Sequence, residues 1–246
     1  MPTYFITSPQ IQGGCIHIVG PLLKHLKDAL RVKQGESVIF VDEQRQRYLT
    51  QVDRVGSQLL VARITERFEP APPPALFITL AQGIIKGKKM DWVVQKATEL
   101  GVVRIVPLMT GRTIVQLKGL KARHQQERWQ AIAHEAAQQS GRDQVPQIQP
   151  VCSFTNFIRS TDPQPRLILW EGETGRSLKT ELSGQKDWMS VTILIGPEGG
   201  FSPEEVQQAK EQGFRTVHLG RRILRAETAG LVTLGILQYL WGDLGA

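Results

Sequence analysis

The chain has 246 residues, 41% hydrophobic and 22% charged, which suits a globular protein of one large or two smaller domains. Its start, MPTYFITSPQ, lacks a charged leader before an apolar core, and its most apolar stretch, LVTLGILQYLW, is too short to cross a bilayer. Neither a signal peptide nor a membrane span is expected. The formal charge of +7 is uneven: net +2 over residues 1–70, +6 over 71–150 and −1 over 151–246. A basic middle third suits a polyanion such as RNA, and equally an ordinary basic protein.

From the N-terminus, GPLLKHLKDALR reads as a short helix with Leu22, Leu23, Leu26 and Leu30 on one face. SVIFVD, RYLTQVDRV and QLLVARITERF read as strands, with turns around Glu43–Arg45 and Gly56–Ser57. The proline-rich EPAPPPALF (69–77) reads as a stiff connector, because proline neither donates to a ladder nor continues a helix. It divides a small β-rich domain, 1–70, from a larger domain, 71–246.

The second domain alternates strands and helices. LFITLAQGI (76–84) reads as a buried strand, KMDWVVQKATELG (89–101) as a helix ended by Gly101, and VVRIVPL as a strand. LKARHQQERWQAIAHEAAQQSG reads as a long helix. PRLILW (165–170), VTILIG (191–196) and FRTVHLG (214–220) are short apolar strands, with helices at 203–212 and about 226–240. This order predicts an α/β fold with a mostly parallel sheet covered on both faces. Trp92 and Trp129 read as core residues of their helices. Cys15 and Cys152 stand in no metal or redox spacing and read as reduced, cytoplasmic thiols; His134-Glu135 does not complete a zinc motif, so no metal is expected.

Two loops carry the chemistry. In ILIGPEGGFSPEE, Ser202, Pro203 and Glu205 form a helix start with a capping box, and Gly196, Gly199 and Gly200 let the backbone turn sharply. Without a Lys-Ser/Thr pair or GxGxxG spacing, and with Glu198 at its centre, the loop suits a neutral or cationic ligand, or no ligand at all. The second loop, HLGRRILRAETAG, also follows a strand and precedes a helix. Its Ile223 and Leu224 offer an apolar surface to a flat ring, and Arg221, Arg222 and Arg225 remain for a carbonyl-bearing or anionic substrate.

GPEGGFSPEE and LGRRILRAETA, with QKATELGV (95–102), IVPL (105–108), EAAQQSGRDQVP (135–146) and the N-terminal HLKDALRVKQGE, closely resemble the bacterial 16S ribosomal RNA uracil-N3 methyltransferases of the SPOUT class. The likeness spans nearly the whole chain. It departs where Thr3 precedes Tyr4-Phe5, and where Asp42-Glu43-Gln44 replaces the usual Asp-Gly hairpin.

The resemblance implies a trefoil-knotted methyltransferase domain, an exception to the rule against knots, behind a PUA-like, β-barrel-like RNA-binding domain. It implies a homodimer acting on 16S ribosomal RNA or the assembled small ribosomal subunit, in the cytoplasm, with neither membrane nor metal. S-adenosylmethionine is the implied cofactor, held by Leu169, Trp170, Glu171, Ile195, Gly196, Glu198, Gly200, Leu219, Gly220, Ile223, Leu224 and Thr228. Arg225 is expected to stabilise charge on a uracil carbonyl oxygen, with Arg142 and Gln139 contributed by the partner subunit. Arg31, Lys86, Lys88, Lys89 and Arg112 are expected to contact RNA. The proton acceptor stays open among Glu198, Glu227 and solvent. Methylation of a ribose 2′-oxygen or another base, and a non-catalytic role in ribosome assembly, are the alternatives.

Overall fold

The computed structural model describes residues 3–69, 72–159, 165–184 and 188–245. The chain divides into two compact units, Met1–Pro73 with Ala137–Gln144, and Pro74–Ala136 with Val145–Ala246. Pro70 of the expected connector lies outside the described residues.

The first unit is built on a six-stranded sheet. Its strands are β1 (Thr3–Phe5), β2 (Ile11–Gln12), β3 (Cys15–Ile18), β4 (Ser37–Val41), β5 (Arg47–Val55) and β6 (Leu60–Arg67), in the order β1-β4-β5-β6-β3-β2. β1 pairs with β4 in parallel and the other pairs are antiparallel. Alternation fixes the faces: Tyr48, Thr50 and Val52 of β5 are buried, with more accessible residues between them. The β4–β5 turn is held by side chains instead of by glycine. Asp42 Oδ1 accepts from the backbone N–H of Gln44 and of Gln46, each at 2.9 Å, and Tyr48 donates its hydroxyl to Asp42 Oδ2 at 2.8 Å. Arg45 takes the left-handed conformation (φ 66°) that an Asp-Gly hairpin would give to glycine.

The helix expected over residues 20–31 is only partly α-helical. α1 (Gly20–Lys24) widens into a π turn over His25–Ala29, where the Leu30 N–H donates to the His25 carbonyl at 3.1 Å. Leu23 and Leu26 are buried, but the wider turn rotates Leu30 outward, leaving it 43% exposed, so it does not share their face.

The second unit carries a seven-stranded sheet in which each pair is parallel. It contains β7 (Phe77–Gly83), β8 (Arg104–Met109), β9 (Gln147–Ile148), β10 (Cys152–Ser153), β11 (Arg166–Leu169), β12 (Ser190–Ile195) and β13 (Arg215–Val217). The order is β10-β8-β7-β12-β11-β13, with β9 beside β8. Its helices are α2 (Lys89–Glu99), α3 (Gly119–Gln139), α4 (Phe154–Ile158), α5 (Leu178–Leu182), α6 (Pro203–Glu211) and α7 (Ala226–Trp241).

Strand alternation divides the core in two. Ile78, Leu80, Ile193 and Ile195 pack with residues of α2, α3, α5 and α7. Ala81 and Leu194, one step out of phase, pack with residues of α4 and α6. Helices therefore cover both faces. Trp129 is 1% exposed and gives its ring N–H to Asp91 Oδ1 at 3.2 Å; its loss would cost about 3–5 kcal/mol, the usual range for a buried aromatic. Trp92 is 44% exposed and is not a core residue. Met90, Val93, Val94 and Ala97 take the inward stripe of α2, and position 92 lies off it.

Candidate active site

The candidate site is built by the connections that leave β11, β12 and β13 at their carboxyl ends. In a parallel sheet these ends gather on one side, where backbone N–H groups and side chains are free to meet a ligand. Together they wall a cavity of about 740 Å³, within the range of a cofactor site.

After β11, the Trp170 N–H donates to the Val217 carbonyl at 3.1 Å. A Cβ at Gly172 would stand 2.4 Å from the Trp170 ring, so glycine there lets the indole lie over its own turn.

After β12, the Gly200 N–H closes a turn onto the Pro197 carbonyl at 2.9 Å, and Gly200 adopts φ 66°. The capping box is formed: the Glu205 N–H donates to Ser202 Oγ at 3.2 Å, and the Ser202 N–H to Glu205 Oε2 at 3.0 Å. Glu205 Oε1 also accepts from the Gly111 N–H at 2.7 Å, which joins the turn after β8 to the start of α6. Glu198 accepts from the Lys86 N–H at 2.9 Å.

After β13, the Gly220 N–H donates to His218 Nδ1 at 3.0 Å. Arg225 is the residue before α7, and its carbonyl accepts from the N–H groups of Thr228 and Ala229. Ile223 is 83% exposed at the cavity wall. Four basic side chains (Lys89, Arg221, Arg222, Arg225) and four acidic ones (Glu171, Glu173, Glu198, Glu227) line the space, so it carries no excess of either charge. A phosphate site would be basic.

Of the twelve expected cofactor residues, ten line this cavity; Ile195 and Thr228 do not. Ile195 is 2% exposed and packs into the core, as the alternation of β12 requires, and Thr228 lies within α7. Arg225 lines it too. Gln139 and Arg142 fall in the segment Ala137–Gln144 of the first unit and are not among the lining residues.

The expected RNA contacts separate. Lys86 and Lys88 are exposed in the turn between β7 and α2, and Arg31 is exposed in the first unit. Lys89 instead lines the cavity and pairs with Glu227 at 3.1 Å. Arg112 donates to the Gly199 carbonyl at 2.8 Å. Cys15 and Cys152 are both free thiols outside the cavity lining; burial pushes the Cys152 thiol up. Among the described residues no cluster of three or more His, Cys, Asp or Glu could hold a metal, and no helix is long and apolar enough to cross a membrane.

Two supporting residues were missed in sequence. Gln82, fully buried on β7, donates its amide to the carbonyls of Gly83 (3.0 Å) and Gly196 (3.3 Å). A Cβ at Gly83 would meet Pro197 N at 2.5 Å and Gly196 C at 2.8 Å, so the end of β7 touches the backbone of the β12 turn. A lone glutamine followed by glycine at the end of an apolar strand was the available signal.

A model of the RNA methyltransferase domain family matches residues 72–238. The ribosomal RNA small subunit methyltransferase E of Bacillus subtilis (strain 168) is 30% identical over 247 residues, covering 97% of this chain and 96% of its own. This chain belongs to the small subunit methyltransferase E family.

Solved structures agree. The Neisseria gonorrhoeae ribosomal RNA small subunit methyltransferase E, solved bound to S-adenosyl methionine, superposes with a TM-score of 0.86 at 31% identity, over 99% of each chain. A Legionella pneumophila methyltransferase solved in complex with the cofactor SAM gives 0.87 at 31% identity, over 98% of each chain. The α/β architecture of this chain is that of the family.

Proposed function

We propose that this protein transfers a methyl group from S-adenosylmethionine to N3 of a uracil in 16S ribosomal RNA. The observation that carries the reading is the single cavity walled by the turns after β11, β12 and β13, balanced in charge and faced by the exposed Ile223. The Neisseria gonorrhoeae small subunit methyltransferase E solved with S-adenosyl methionine, and the Legionella pneumophila methyltransferase of similar fold solved with SAM, support the same donor.

The residues fit that group. Leu169, Leu219, Ile223 and Leu224 offer apolar contact for the adenine ring, while Gly196 and Gly200 let backbone approach it closely. Bound there, the cofactor supplies an electrophilic methyl on a cationic sulfur. The chain's own task is to receive the base and stabilise its charge. N3 lies on the pairing edge, so the uracil must be unpaired or flipped out before it enters. Loss of the N3 proton spreads negative charge over O2, N3 and O4, and the Arg225 guanidinium is the group we assign to a carbonyl oxygen. Glu198 is exposed and one of its oxygens already accepts from the Lys86 N–H.

Arg142 and Gln139 enter this reading through a partner subunit. Val232, Ile236, Tyr239 and Leu240 leave an exposed apolar stripe along α7, which supports a homodimer. The trefoil crossing and the PUA-like role of the first unit belong to the same proposal. The sheet order β12-β11-β13, with an earlier strand between two later ones, supports the former. A cytoplasmic location belongs to the same proposal.

The test is nucleoside mass spectrometry on small subunits and on naked 16S RNA from cells lacking the protein, treated with the purified protein and S-adenosylmethionine. N3-methyluridine should appear. Methylation of a ribose 2′-oxygen or another base would replace this reading with that of a related enzyme, and no transfer would leave an RNA-binding role.

A further inference from the structure

Among the described residues, one buried side-chain oxygen of a residue that lines the cavity has no hydrogen-bond partner within the chain. Glu227 lies in the first turn of α7 with its side chain 13% exposed. Oε1 meets Lys89 Nζ at 3.1 Å, whereas Oε2 is buried and makes no hydrogen bond. Burial opposes ionisation of this carboxyl, but its own backbone N–H, Lys89 and Arg225 outweigh it and hold the group below the usual carboxylate range. An ionised oxygen withdrawn from water without a partner is costly, and a ligand that meets it gains the difference. An acid in the first turn of a helix is favoured there by the helix dipole alone. That explains the charge at position 227, but not the burial of Oε2 in a cavity wall.

Two chemical roles are open to such a group. As a base it is poorly matched, since an imide is a much weaker acid than a carboxylic acid and a carboxyl held low takes a proton badly. Negative charge beside the uracil would also oppose the charge that forms there. As a counter-charge it is well matched. In the reacting pair the deprotonated imide carries −1 and the sulfonium +1. Arg225 and Glu227, two residues apart at the start of α7 and both lining the cavity, supply the complementary charges.

We propose that Glu227 is the counter-charge for the sulfonium and makes the site prefer the methylated donor to its demethylated product. The proposal rests on the S-adenosylmethionine reading above. The imide proton leaves to solvent; then the N3–C bond forms as the C–S bond breaks. The bonding pair stays on sulfur, so the donor becomes a neutral thioether and the base a neutral N3-methyl uracil. The attraction of Glu227 for the donor vanishes with the charge, and the product is held less tightly than the reactant. Because this attraction weakens on the way to the transition state, it serves exchange of product for donor and not acceleration of the chemical step.

Calorimetric titration of the purified protein with S-adenosylmethionine and, separately, S-adenosylhomocysteine tests it. Glu227→Gln keeps the shape and removes the charge. It should weaken S-adenosylmethionine about tenfold while S-adenosylhomocysteine changes by less than about twofold, the scale of one partly buried charge pair. Glu227→Asp, which keeps the charge, should preserve the preference within about threefold, and circular dichroism of both variants separates binding from folding. An equal loss for both ligands would overturn the proposal, since it would place the carboxylate on a group they share, such as the ammonium. An unchanged pair of affinities would overturn it as well. If the unaltered protein bound neither ligand, the S-adenosylmethionine reading itself would fall, an outcome distinct from a failure at position 227 alone.

Discussion

The Arg112 guanidinium grips the carbonyl oxygen of Gly199 at 2.8 Å, so a side chain from the turn after β8 holds the turn after β12. A Cβ at Gly199 would lie 3.1 Å from Arg112 Cβ, which shows how closely the two turns pack. The Gly111–Glu205 hydrogen bond ties the same pair of turns a second time. Arg112 is expected from sequence to contact RNA; in the structure its guanidinium also donates to the turn after β12.

Replacing Arg112 with alanine should therefore loosen that loop. S-adenosylhomocysteine affinity, measured by calorimetry, should fall roughly fivefold, about 1 kcal/mol for one charge-assisted hydrogen bond at a solvated site. A variant that loses only RNA affinity would return Arg112 to the role read from sequence.

Gly83→Ala makes a harsher demand. The added methyl would meet backbone atoms of Gly196 and Pro197, which cannot swing aside as a side-chain tip can. Cofactor affinity should drop more than about tenfold, and thermal unfolding should shift down by several degrees for a cost of about 1–3 kcal/mol. Gly87→Ala, in the turn just beyond, is a useful control: no atom lies within 4 Å of its Cβ position, so only its φ of 70° resists the change and cofactor affinity should hold.

Arg225→Ala should separate binding from chemistry. With donor and RNA saturating, single-turnover methyl transfer should fall about a hundredfold, the scale of removing one group that stabilises a developing oxyanion. S-adenosylhomocysteine affinity should stay within a few-fold. Near-normal turnover would mean that another group meets the carbonyl.

The first unit offers a pH signature. Burial, then the hydrogen bond to Asp42, pushes the Tyr48 hydroxyl up to about 12 from its ordinary value of 10.0. Between those values the unfolded chain gives up this proton and the folded chain keeps it, so stability present below pH 10 is lost as pH rises toward 12. Denaturant midpoints should decline over that window, and Tyr48→Phe should flatten this part of the decline.

Local rules carried the reading of sequence a long way. β5 runs over Arg47–Val55 as its alternation predicts, and α6 begins with the capping box visible in Ser202-Pro203-Glu204-Glu205. The glycine turns line the cavity because the need for positive φ and close backbone approach is written into residue type. What escaped depended on distant partners or competing local geometry. No local pattern shows that Gln82 will reach Gly196, 114 residues away in sequence but adjacent across two paired strands. Leu30 follows the helical period on paper and is turned outward by the π turn. Asp42 holds a turn without glycine by accepting two backbone N–H groups while Arg45 takes the left-handed conformation, a substitution legible only once both donors are placed.

The segment Ala137–Gln144 belongs to the first unit although some sixty residues of other chain intervene, and Asp143 within it pairs with Arg45 at 2.7 Å. Scissors applied at the prolines would thus yield a fragment with a hole in it: Arg45, already reaching the Pro72 carbonyl, would lose its carboxylate. A faithful excision of this unit needs residues 137–144 spliced back onto it.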